Sequence, residues 1–214
     1  MASVPKPDAR TGRAYVEFLL LYAVLPSVFA LGVIPLPKLS VLFGVTIFCV
    51  VMLLMRGFFW KHEFRFSALG QAGREITRRL LFVAVGAVLL TLLLVPDQLF
   101  AFPIERPLTW GLVVLLYPFL SALPQEIIYR TYLHKRFGPL FGGERNLTIV
   151  SATAFAYLHI VYVNLPSIAV SFAGGMLLAS TYERRQSLAA AWVEHAGYGV
   201  IVFTTGLGKF FYSG

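Results

Sequence analysis

Residues 79–95 read RLLFVAVGAVLLTLLLV, and after Arg79 the run holds no charged side chain. Sixteen or so apolar residues at about 1.5 Å each come close to the roughly 30 Å of a bilayer's hydrocarbon core. In lipid such a run must satisfy its own backbone hydrogen bonds, so it is a helix. It is also continuous, whereas an outer-membrane barrel would show short alternating strands. Working outward, similar runs occur at about 14–34, 39–55, 108–135, 147–163, 166–181 and 187–206. The sequence therefore predicts an all-α, polytopic membrane bundle of about seven transmembrane helices, forming one domain over residues 1–214.

Composition agrees. Of 214 residues, 58% are hydrophobic and only 13% charged, against about a quarter charged in soluble domains. Mean hydropathy is +0.76. The net charge of +8 does not indicate nucleic acid, because its distribution follows the loops. Lys6, Arg10 and Arg13 precede the first run. Arg56, Lys61, Arg65, Arg74 and Arg78 fill the second return, and Lys135, Arg136, Arg145, Arg184 and Arg185 lie on the same side. The opposite loops hold little beyond Lys38, Arg106 and Lys209. By the positive-inside rule the N-terminus is cytoplasmic. The first run is read as a retained helix rather than a signal peptide cleaved after Val28-Phe29-Ala30. The segment 61–78 reads either as an interfacial helix or as a basic loop. The lone Cys49 carries no disulfide information.

Ionisable residues inside apolar runs are costly and are functional candidates. The fourth run carries Glu126 and Arg130, the fifth His159, and the seventh Glu194 and His195. Counted from the cytoplasmic ends, Glu126, His159 and His195 lie at roughly 12–18 Å depth. Glu126 and Arg130 are four residues apart and share a helix face. Pro124 predicts a break in the fourth run, with Glu126 near the start of a new half-helix. Glu plus two His is also a zinc set, and intramembrane Glu and His also build proton relays and transporters. For Glu194 no role is assigned, with Arg130 as a possible partner. Trp110, Trp192, Tyr15 and Tyr22 are read as interface anchors or packing. His134 is expected at the interface, and Gly174 and Gly175 are expected to allow close helix packing.

The run Pro124-Gln125-Glu126-Ile127-Ile128-Tyr129-Arg130 resembles the Glu-Glu-x-x-x-Arg motif of the CAAX protease and bacteriocin-processing family of glutamic-type intramembrane endopeptidases. Phe155 and His159 match its Phe-x-x-x-His motif, and His195 falls where His-x-x-x-Asn begins. The resemblance covers about 115–200. It implies a peptidase that cleaves near a terminus of a membrane-associated protein or peptide. A glutamate and His159 would activate water, and His195 would face the oxyanion. It implies a metal-free site, so no cofactor is expected. Two positions depart from the pattern. Gln125 stands at the first glutamate, which makes Glu126 the candidate carboxylate, and Gly199 stands at the asparagine. Tyr198, Asn164 and Thr205 are candidate replacements for that donor, so Gln125 and Tyr198 join Glu126, Arg130, His159 and His195 as expected site residues. A prokaryotic plasma membrane is the expected location. The competing readings are a transporter and a non-catalytic scaffold or immunity relative that has kept the helices.

Overall fold

The computed structural model describes residues 9–212, and every regular element among them is helical. Each apolar run coincides with a helix. Helix α1 joins Ala9–Leu19 to Leu25–Ala30 through a π turn, Leu20–Val24. Next come α2 (Lys38–Leu54) and, after a single turn at Trp60–Glu63, α3 (Ser67–Leu94). Helix α4 runs without a break from Pro107 to Phe141. Helix α5 (Glu144–Leu158) tightens into a 3-10 turn at His159–Tyr162. Helix α6 (Leu165–Arg185) and helix α7 (Leu188–Thr205) follow. Four helices, within 11–30, 60–94, 107–141 and 165–185, are long and apolar enough to cross a membrane, and α2 is a shorter apolar helix. The chain is an integral membrane protein. Length and apolarity identify those four crossings, and α7, with Glu194 and His195 near its middle, is not among them.

Two sequence expectations change. First, α3 begins twelve residues before the apolar run does, so most of 61–78 is neither loop nor separate interfacial helix. Its 28 residues span roughly 42 Å, more than the hydrocarbon core, so one end projects beyond it. Second, Pro124 does not break α4. Residues 118–122 and 127–132 are π turns on either side of Leu123–Glu126, and the backbone stays right-handed helical at the junctions. A π turn widens the helix to admit one extra residue and leaves carbonyls poorly served. Neighbours serve them here, as tolerance of proline and π turns at membrane depth requires. Trp192 Nε1 donates to the Pro118 carbonyl at 2.6 Å, and the buried Tyr22 hydroxyl donates to Ile128 at 2.8 Å. Ser151 Oγ donates to the Tyr129 carbonyl at 2.7 Å.

These contacts tie α1, α5 and α7 to α4. Tyr22, Tyr129, Tyr132 and Phe137 form a buried aromatic core between α1 and α4. Tyr22 and Trp192 are thus packing residues that bond backbone, while Trp110 donates to Thr204 and Tyr15 to the Leu140 carbonyl. Helix α6 approaches α5 at Gly175, where a Cβ would lie 3.1 Å from the Ala152 Cα. Only one of the two expected packing glycines does this: Gly174 meets nothing and lines a cavity. His134 is buried against Tyr182, 2.6 Å from Glu183.

Candidate active site

Three helices bring the intramembrane ionisable groups together. Glu126, on the short α-helical stretch between the π turns of α4, is wholly buried. His195 Nδ1, from α7, donates to its Oε1 at 2.8 Å. Its Oε2 lies 3.3 Å from Arg130 Nε, close enough for an ion pair but not aligned as a hydrogen bond. Arg130 is also wholly buried. It donates through Nη1 to Ser151 Oγ at 2.7 Å and to the Tyr129 carbonyl at 3.2 Å. Spacing of four residues puts carboxylate and guanidinium on one face, and burial leaves them each other.

His159 sits where α5 gives way to its 3-10 turn. Its Nδ1 bonds the Phe155 carbonyl at 2.8 Å. A carbonyl only accepts, so Nδ1 carries the proton and Nε2 is left as an acceptor. Phe155 packs edge-on against both histidines, 4.9 Å from His159 and 5.4 Å from His195, and lies 5.1 Å under the Arg130 guanidinium. Its ring is the spacer around which the cluster is built.

Two cavities border the cluster. One, of about 570 Å³, is walled mostly by apolar side chains of α3, α6 and α7, and reaches Tyr117, His195 and Tyr198. The other, of about 120 Å³, lies against α1 and α2, with Lys38 among its lining residues. Ser121, Gln125, His159 and Tyr162 line both. Gln125 Nε2 donates to Ser121 Oγ at 2.8 Å, while its buried Oε1 has no protein partner. Glu126 and Arg130 line neither cavity.

Sequence reasoning placed Tyr198 beside the site, and its ring does line the larger cavity. Its hydroxyl, however, donates to Glu194 at 2.5 Å. Glu194 pairs with Arg79 of α3 at 3.3 Å rather than with Arg130. Of the other expected donors, Asn164 caps α6 and Thr205 bonds the Ile201 carbonyl. The residue that sequence reasoning missed is Tyr117, whose hydroxyl lies 3.0 Å from His195 Nε2. Among the described residues no group of three or more His, Cys, Asp or Glu converges as a metal site.

Helices α4–α7 supply Tyr117, Gln125, Glu126, Arg130, His159, Glu194, His195 and Tyr198. Residues 107–201 match the family model of type II CAAX prenyl endopeptidase Rce1-like proteins. Over that stretch the chain is similar to Rce1-like proteins. The family is one of proteases, and the match contains Glu126, Arg130, His159 and His195. No curated protein and no solved structure matches the chain. Gln125 and Gly199, both within that stretch, stand at the two positions that depart from the motifs given above.

Proposed function

We propose that the protein is an intramembrane endopeptidase that hydrolyses a peptide bond near a terminus of a membrane-associated protein or peptide. The observation that carries this reading is the state of His159. With Nδ1–H given to a backbone carbonyl, Nε2 offers a lone pair on a wall shared by both cavities, beside Gln125 and its unpartnered Oε1.

A water held between Gln125 Oε1 and His159 Nε2 loses a proton to His159 as its oxygen attacks a peptide carbonyl carbon. The C=O π pair moves onto oxygen. Collapse then breaks the C–N bond, and the leaving nitrogen takes the proton back from His159. Glu126, turned away from both cavities, acts by holding His195 on the side of the developing oxyanion, with Arg130 balancing its charge. An extended peptide laid from one cavity to the other brings its carbonyl past His159, and the apolar walls of the larger one suit a lipid-borne or apolar segment. A zinc reading would need Glu126, His159 and His195 to face one point, yet among the described residues no three such groups converge. The distribution of basic loops supports a cytoplasmic N-terminus, and the compact chain suits a prokaryotic plasma membrane.

Terminus-resolved proteomics of host membranes tests the reading. A peptide terminus that forms with wild type and falls by at least 100-fold with His159→Ala and with Glu126→Ala supports it. Equal termini in all three, with each variant folded and expressed, would sink it.

A further inference from the structure

As a neutral imidazole, His195 has no donor left for an oxyanion. Its Nδ1–H is spent on a carboxylate, so its Nε2 is an acceptor. The group facing Nε2 is the Tyr117 hydroxyl at 3.0 Å, which therefore donates to it. We propose that Tyr117 is the catalytic oxyanion donor of this peptidase, aimed by His195 and given room by Gly199. The proposal rests on the endopeptidase reading above.

Three observations support the assignment. Tyr117 lines the larger cavity together with His195, Gln125 and His159. Its ring is clamped edge-on by Phe203 at 5.4 Å and lies 6.0 Å from the His195 ring. Gly199, one turn after His195, has its side-chain space filled by that ring: a Cβ there would fall 2.0 Å from Cε1 and 2.7 Å from the hydroxyl. Position 199 and the phenol thus exclude one another, and a donor from α4 stands where the resemblance put a donor from α7.

The π turn at 118–122 explains how α4 delivers it. In a regular α-helix the nine-residue separation of Tyr117 from Glu126 puts them on about opposite faces. Accommodating one extra residue removes roughly 100° of rotation and swings Tyr117 to within roughly 80° of Glu126. The phenol and the carboxylate then reach opposite nitrogens of the same imidazole.

In the resting state the O–H points at His195 Nε2. When hydroxide from the His159-bound water adds to the carbonyl carbon and the π pair moves to oxygen, the phenol O–H rotates to donate to that oxygen. No proton leaves Tyr117. When the C–N bond breaks, the electron pair returns to C=O, and the O–H swings back to His195.

The test uses the full chain in nanodiscs with a quenched-fluorescence peptide library carrying a palmitoyl anchor, the fastest-cleaved member serving as reporter. Tyr117→Phe is expected to lower kcat by about 10²–10³-fold with KM moving less than threefold. Tyr117→Ala is expected to fall similarly, and Tyr117→Ala with Gly199→Asn to recover at least tenfold, because the amide gains both the space and the role. Melting midpoints close to wild type for Tyr117→Phe exclude loss by unfolding. Wild-type kcat in Tyr117→Phe, or a loss confined to KM, or no recovery in the swap, would overturn the donor role while leaving the peptidase intact. Absence of cleavage by wild type across the library would overturn the peptidase reading, and the donor with it.

Discussion

Arg130 is the largest wholly buried side chain among the described residues, and its replacement by methionine is the sharpest test of how the site is held. The substitution keeps an unbranched stem but removes the cation 3.3 Å from Glu126 and the donor to Ser151. Glu126, also wholly buried, is then left with His195 as its single polar partner. Stranding one member of a buried ion pair costs about 3–5 kcal/mol. For a chain of this size that corresponds to roughly 6–20 °C in melting midpoint. The assay is equilibrium unfolding of the full chain in mixed micelles, titrated with SDS and followed by tryptophan fluorescence. The sign of the coupling is the stronger part of the prediction. Glu126→Gln with Arg130→Met removes both charges, so it is expected to be more stable than Arg130→Met alone. An Arg130→Met cost under 1 kcal/mol, or a double variant less stable than the single one, would refute the idea that the pair is a desolvated charge couple.

Two further outcomes follow from the same geometry. Tyr22→Phe loses the buried bond to the Ile128 carbonyl and is expected to cost about 0.5–1.5 kcal/mol in the same titration. Because Glu194 pairs with Arg79 and Tyr198 and lines neither cavity, Glu194→Gln is expected to lower stability while leaving reporter cleavage within threefold of wild type; a hundredfold loss of kcat would instead make Glu194 part of the reaction.

Much of this architecture was legible because lipid punishes exceptions. Each apolar run became a helix, and Glu126, Arg130, His159 and His195 stood out as charges or imidazoles where none should be. The start of α3 at Ser67 was not legible, since residues 67–78 are polar and carry no membrane signature. Pro124 misled for a physical reason: a missing N–H can be absorbed by π turns on either side of it as well as by a break. Tyr117 escaped because regular helical periodicity turns it away from Glu126, and only the π turn reverses that. Gly199 was the one available hint, a side chain missing where a neighbour needed its volume. Pairings such as Arg79–Glu194 and Glu17–Arg136 join segments more than a hundred residues apart and leave no local pattern.

The division between helices that qualify as membrane crossings on their own and those that carry site groups bears on biogenesis. Helix α7 delivers His195 and Glu194, whose cost in lipid is offset by polar companions on other helices. Arg79 on α3 and Glu126 on α4 are those companions, and both are synthesised earlier. The contacts that assemble the site are therefore the same ones that lower the cost of placing its last helix in the bilayer.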